Sequence, residues 1–453
     1  MSQQVDVSRI SELREVVAGA LEQARAVGAS QAEADASLQR GLTVTVRLGE
    51  VETIEYHRDR GLAITLYFGQ SKGSASTADL RPAAVRESVQ KAATIARYTA
   101  ADECAGLADP EALAREVPDL DLYHPWSLEP EQAVTLARDC EAAGLGCDAR
   151  LKNSEGATVT THSGVRVYGN SHGFLQGYPS TSHSISCALV AQSGDEMQRD
   201  YWYSVARRAQ ALEDVSVIGR HAARRALRRL GARQLSTRRA PVLYAPELAR
   251  GLFGHFVGAI RGASQYRRSS FLLGAAGTQV FPQFLQIAER PHLPQALASS
   301  PFDAEGVATR DRELVRDGVL RGYVLGSYSA RKLGLATTGN AGGIHNLIVG
   351  TADDAARAHS GSFEQLLERM GEGLFVTELM GPGVNGVTGD YSRGASGFWV
   401  EGGAIAYPVH EVTIAGNLRD MLRGIVAVGT DVDAQGAIRT GSVLLEAMTI
   451  AGE

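Results

Sequence analysis

Residues 251–262 read GLFGHFVGAIRG. Leu252, Phe253, Phe256 and Ile260 recur at helical spacing, and one histidine, His255, stands among them. A hydrolytic metal helix pairs such a histidine with a second histidine and a carboxylate about one turn away. Neither is present here. Glycines recur instead at Gly251, Gly254, Gly258 and Gly262, at spacings of three, four and four that put them on one helix face. Each costs roughly 1 kcal/mol against alanine inside a helix. The stretch therefore predicts a buried helix with its glycine face pressed against sheet or backbone. Gly254 and Gly258 should leave no room for a side chain, and His255 should be a hydrogen-bonded structural residue.

Other residues with chemical potential read the same way. Gly69-Gln70-Ser71-Lys72-Gly73 and Gly169-Asn170-Ser171-His172-Gly173 both fit G-x-S-x-G. A nucleophile elbow joins a strand to a helix, but both copies lead into further strand-like sequence. Ser71 and Ser171 are therefore expected in hairpin turns. His162, His172 and His183 are ten and eleven residues apart and lack the close pair typical of zinc ligands; they read as polar positions on a sheet. Arg220, Arg224, Arg225, Arg228 and Arg229 make a basic helix face, of a kind that can bind phosphates. With no interleaved aromatics and an acidic chain, it reads as solvated or partner-facing. No P-loop, no dinucleotide-binding glycine fingerprint and no HExxH occurs.

The elements that must position these residues follow from periodicity. Helices are expected over residues 8–27, Pro82–Tyr98, Leu128–Ala143 and Val215–Leu230. Leu42, Val44, Val46 and Leu48 alternate with polar residues, as in a half-buried strand. GLAITLYFGQSKG (61–73) and SGVRVYGNSHG (163–173) share an alternating run ending aromatic-Gly-polar-Ser-x-Gly. This points to a duplicated helix-plus-antiparallel-sheet unit. Residues 231–241 read as a linker, Asp317-Gly318 as a hairpin turn, and the last 80 residues as glycine-rich strands. The fold class is α+β, with an N-terminal domain over 1–232 and a strand-rich C-terminal domain over 238–453 around the glycine-faced helix.

The bulk properties set limits. A chain of 453 residues is long for one domain. Its hydrophobic fraction of 44% supplies an ordinary core, and its net charge of -6 gives no electrostatic reason to expect nucleic acid. Four cysteines with no CxxC pair make no disulfide framework. The first residues are polar, and no run of 18 apolar residues occurs. The expectation is a cytoplasmic protein with no membrane span.

Longer stretches carry a specific resemblance: CAGLADPE, DLDLYHP, YGNSHGFLQGY, GLFGHFVGAI, SSPFDAEGV, SYSARKLGL, GNAGGIHN, TELMGPGV, GDYSRGASGFWVE and VTIAGNLRDM. Through them essentially the whole chain resembles the TldE/PmbA branch of the TldD/PmbA family, once called modulators of DNA gyrase. The resemblance implies a cytoplasmic heterodimer with a TldD-type subunit, acting on unfolded peptides as a zinc-dependent peptidase. Microcin-precursor maturation and antitoxin degradation are its associated roles. The TldD-type subunit carries HExxxH and a C-terminal cysteine that completes the zinc site. Laid onto this sequence, Gly254 stands at the first histidine, His255 at the glutamate and Ala259 at the second histidine. The C-terminal AIRTGSVLLEAMTIAGE has no cysteine. The resemblance thus implies no metal or cofactor in this chain, zinc in the partner, and no catalysis by this chain alone. Asp390, Tyr391, Ser392 and Arg393, read as a polar loop, are candidates for the substrate path. The alternative is a regulatory binding module acting without proteolysis. A third reading, a self-sufficient hydrolase using Ser171, predicts activity in the isolated chain.

Overall fold

The computed structural model describes residues 5–352 and 356–452. Its first part repeats one arrangement, a helix, three antiparallel strands and a helix. The first copy comprises α1 (Arg9–Ala26), β1 (Gln31–Arg47), β2 (Glu50–Phe68), β3 (Ser71–Thr77) and α2 (Pro82–Tyr98). The second comprises α3 (Pro130–Leu145), β4 (Leu151–Asn170), β5 (Leu175–Ser193), β6 (Glu196–Ala206) and α4 (Val215–Arg228). The strands form one sheet in the order β3-β2-β1-β4-β5-β6, and the two copies meet where β1 pairs antiparallel with β4.

Strand alternation decides which face the helices cover. Ala32, Ala34 and Ala36 of β1 pack with Leu62, Ile64, Leu66, Val165 and Val167 beneath α1 and α2. Leu42, Val44 and Val46 on the same face pack with Ala157, Val159, Ile185 and Cys187 beneath α3 and α4. The opposite face carries Thr43, Thr45, Thr158, Thr160, Ser182, Ser184 and Ser186, all half-buried. Only the second half of β1 was legible in the sequence. Its first half, QAEADASLQR, alternates correctly but in alanines and charged residues of low strand propensity, and pairing on both sides holds it extended.

The second part begins with β7 (Arg238–Tyr244), so the expected linker is shorter than residues 231–241. Pro241 has no N–H to donate, and it sits where the ladder with the last strand is interrupted. Helix α5 (Pro246–Ile260) and the short α6 (Gly262–Tyr266) follow. Strands β8 (Leu285–Glu289), β9 (Arg312–Arg316), β10 (Val319–Leu320), β11 (Leu347–Thr351), β12 (Ser360–Gly361), β13 (Gly373–Met380), β14 (Asp390–Glu401), β15 (Ala404–Asn417), β16 (Ile425–Gly429), β17 (Ile438–Arg439) and β18 (Val443–Ala451) make two sheets. One runs β10-β9-β8-β11-β17, with positive φ at Asp317 and Gly318 forming the expected β9–β10 turn. The other runs β12-β16-β18-β15-β14-β13-β7, and a further β18–β7 pairing closes β7, β13, β14, β15 and β18 into a ring. Phe253 and Phe256 of α5 are fully buried among Val242, Tyr244, Trp399 and Phe281. The molecule is α+β throughout. Among the described residues no helix is long and apolar enough to cross a membrane.

Candidate functional site

Helix α5 starts at Pro246, which suits a first-turn position. Its apolar face buries Ala249, Leu252, Phe253, Phe256, Val257 and Ile260. Its glycine face does not pack. A Cβ built on Gly251, Gly254 or Gly258 would meet nothing within 4 Å. The expectation of close contact at Gly254 and Gly258 is therefore corrected: the missing side chains leave a cavity of about 450 Å³. Gly254, His255, Gly258 and Ala259 line it from the helix, residues of the 381–386 loop roof it, and Arg393 reaches it from β14.

Gly262 does not belong to that face. Arg261 is extended (φ -63°, ψ 140°) and ends α5, so the glycine period breaks there. A Cβ on Gly262 would collide with Ser329, and this is the close approach that the sequence had suggested for the whole stripe. The carbonyls freed at the end of α5 are satisfied locally. Ser264 Oγ donates to the Gly258 carbonyl (2.8 Å), and Gln265 Nε2 and Ser270 Oγ both donate to that of Ala259 (2.7 Å each). The cavity floor is thus a fixed helix end.

His255 is half-buried, with its ring edge-on to that of Tyr391 at 6.1 Å between centroids. Among the described residues its ring makes no hydrogen bond, against the expectation of a hydrogen-bonded histidine. Burial, then the charge of Arg393, pushes its pKa below the ordinary histidine value. Both effects favour the neutral imidazole. Arg393 makes no ion pair with any described carboxylate, and its buried Nε has no hydrogen-bond partner.

Residues 390–393 are not a loop but the start of β14, in register with Asn417 to Ile414 of β15. Strand alternation and local bonding separate the four. Asp390 is exposed and accepts from Thr388 Oγ1 (2.6 Å) and Asn417 Nδ2 (3.3 Å). Tyr391 is buried in the core, and Ser392 is exposed, with its N–H donated to the Gly383 carbonyl (2.7 Å). Only Arg393 lines the cavity. No pattern in the sequence marks its lack of a carboxylate partner, because that depends on what the fold leaves out of reach.

The remaining candidates are spread through the N-terminal sheet. Ser71 begins β3 after a two-residue turn, and Ser171 lies in the β4–β5 turn, where its Oγ accepts from the Ala32 N–H (3.0 Å). His183 is buried between Thr161 Oγ1 (2.8 Å) and the His124 carbonyl (2.9 Å). His162 lies on the opposite sheet face beside His57, and His172 contacts the Ala108 carbonyl (3.2 Å). The three do not converge. The arginine stripe of α4 divides between exposed residues, Arg220, Arg224 and Arg228, and two held within the chain, Arg225 and Arg229. Arg225 pairs with Asp200 (3.0 Å) and Glu247 (2.7 Å), Arg229 with Glu378, and Arg228 lies over the Phe398 ring (4.7 Å). Arg225 and Arg229 are thus tied within the chain, whereas the exposed Arg220, Arg224 and Arg228 agree with the expected solvated face.

A zinc ion needs three or four imidazole, thiolate or carboxylate donors. Gly254 and Ala259 offer none, His255 is alone, and no cysteine follows Cys187. Among the described residues no group of three or more His, Cys, Asp or Glu is placed to hold a metal. The residues of this cavity do not fit zinc.

Comparison with known proteins places this architecture. Residues 237–452 match the PmbA/TldA metallopeptidase C-terminal domain, 123–230 the central domain and 32–96 domain 1. The chain is 53% identical to Metalloprotease PmbA of Escherichia coli O157:H7, covering 97% of this chain and 96% of that protein. It is 48% identical to a Metalloprotease PmbA homolog of Haemophilus influenzae, with the same coverage of 97% and 96%. A Bacteroides thetaiotaomicron crystal structure named as a modulator of DNA gyrase superposes with a TM-score of 0.91 at 27% identity, covering 98% of this chain and 99% of that one. TldE from Thermococcus kodakarensis shares the fold, with a TM-score of 0.84 at 21% identity over 95% of this chain and 99% of that one. The chain belongs to the PmbA/TldD metallopeptidase family.

Proposed function

We propose that this chain is the zinc-free, TldE-type subunit of a two-subunit peptidase whose TldD-type partner carries the metal and the bond-breaking chemistry. The observation that carries the reading is the donor set on α5. Gly254, His255 and Ala259 stand where the family's metal helix has histidine, glutamate and histidine, and they surround an open cavity rather than a packed contact. In this reading the chain contributes walls to a shared chamber in which an unfolded peptide lies extended. Main-chain pairing to a strand edge grips such a peptide with little dependence on its side chains. Microcin precursors and antitoxins are the substrate types suggested by the family, and the cytoplasm is the compartment.

Reconstitution tests this. The purified chain should leave an unfolded protein such as reduced, alkylated casein intact. Adding a TldD-type subunit should give chelator-sensitive cleavage well above that of the TldD-type subunit alone. Cleavage by the isolated chain would overturn the reading in favour of a self-sufficient hydrolase. A mixture no more active than the TldD-type subunit would overturn it in favour of a regulatory binding module.

A further inference from the structure

We propose that the cavity on the glycine face of α5 is a carboxylate-binding pocket, in which Arg393 receives a carboxylate of a bound peptide. Three features of the site converge on this. Arg393 is the one charged side chain among the described residues that line it. That guanidinium has no carboxylate partner among the described residues, and its Nε is buried without an acceptor. Arg225 and Arg312, by contrast, are paired, with Asp200 and Glu247 and with Glu289, and Arg207, which also lacks a carboxylate among the described residues, is held by the Thr181 and Leu297 carbonyls. The contrast is sharper because acidic residues outnumber basic ones, 51 to 45. A partly desolvated cation without a counter-ion is costly, and a planar guanidinium matches a carboxylate's two oxygens.

The rest of the lining narrows the ligand. Gly254 and Gly258 present bare helix backbone, so a main chain can approach closely. Phe271, Pro382, Val384 and Leu418 supply apolar walls, and among the described residues no acidic side chain lines the space to compete for Arg393. Its size of about 450 Å³ lies in the range of small-ligand sites. A carboxylate attached to an apolar or peptidic body fits this lining better than a compact, heavily hydrated polyanion does. Assigning the carboxylate to a peptide rests on the reading of the chain as a peptidase subunit. The test uses the isolated chain, so its failure and a failure of reconstitution are distinguishable.

The experiment is calorimetric titration of the full chain with three probes: N-acetyl-trialanine as the free acid, the same peptide as its C-terminal amide, and N-acetyl-Ala-Asp-Ala-amide. The free acid should bind at least about tenfold more tightly than the trialanine amide, the size expected when a charge-assisted hydrogen-bonded pair is lost. Equal binding of the aspartyl peptide and the free acid would show that a side-chain carboxylate serves as well as a terminal one; binding of the free acid alone would assign the pocket to a C-terminus. Arg393→Gln should lose a similar factor, and Arg393→Lys should recover part of it. Gly258→Leu keeps the charge but fills the cavity, and should abolish binding. Equal affinity for free acid and trialanine amide would overturn the proposal. So would the absence of binding by either carboxylate probe, or unchanged binding in both Arg393→Gln and Gly258→Leu.

Discussion

Helices α4 and α5 each carry glycine, histidine and a nearby arginine, and they treat all three in opposite ways. At α4, Gly219 crosses α3 so closely that a Cβ would overlap the Cys140 carbonyl oxygen. His221 lies flat on Trp202 at 3.9 Å, and Arg225 is sealed between two carboxylates. At α5, Gly254 and Gly258 face open space, His255 is half-buried without a hydrogen bond, and Arg393 has no counter-ion among the described residues. The first site is a finished contact between elements. The second has the features of a surface whose partner atoms come from elsewhere. A glycine in a helix costs the same propensity at either site. Only the first offsets it with packing in this chain, so the second must be maintained for another reason or for none.

The arginines should separate the two regions most strongly. Arg225→Met leaves Glu247 buried without its cation, and should destabilise by about 3 kcal/mol or more. Arg393→Met abandons no carboxylate and should change stability by less than about 1 kcal/mol in either direction. Chemical denaturation of both variants measures the difference, and equal losses would erase the distinction.

The glycines come next. Gly219→Ala overpacks backbone against backbone and should cost about 1–3 kcal/mol. Gly254→Ala places its methyl in open space and should stabilise by about 0.5–1 kcal/mol through helix propensity and a stiffer unfolded chain. Thermal melts of the pair should move in opposite directions. A loss at Gly254 would mean that its face is packed and not open.

The histidines give the smallest effect. Burial, then Arg225 and Arg224, pushes the His221 pKa down to about 4. The folded value lies below the unfolded one near 6.5, so the unfolded state binds the extra proton. The contribution of neutral His221 is therefore fully present above about pH 6.5 and lost as pH falls towards 4. His221→Phe keeps the stack on Trp202 and should flatten the stability profile over that window. His255 should also titrate below the ordinary value, as an imidazole resonance followed by NMR, but its cavity leaves it open to ligand. A carboxylate held by Arg393 should raise its pKa, whereas His221 should be unaffected.

Much of this architecture was legible in the sequence, for identifiable reasons. Helices α1 to α4 fall within about two residues of the expected spans, because buried alanines and aliphatics repeat at helical spacing in each. The matching GxSxG turns pointed to a repeated unit, and the unit is there, but the turns are not equivalent within it: the first joins β2 to β3, the second hairpin of its copy, and the other joins β4 to β5, the first hairpin of its copy. What failed was the inference from spacing to environment. Gly254 and Gly258 share a helix face whether that face is packed or empty, and spacing cannot say which. Gly262 was grouped with them because it keeps the four-residue spacing from Gly258, although the helix ends between them at Arg261. Residues 390–393 looked like a loop between glycines, although pairing with β15 makes them a strand. The lack of zinc donors was readable residue by residue, since ligation depends on side-chain identity before geometry.

The central claim is that α5 keeps the place of a metal helix without its metal chemistry. Elemental analysis of tag-free protein, purified alone and dialysed against micromolar zinc, tests it most directly. The account predicts no stoichiometric zinc, and no change in that result on Ala substitution of His255. A full equivalent of zinc per chain, lost in His255→Ala, would contradict it.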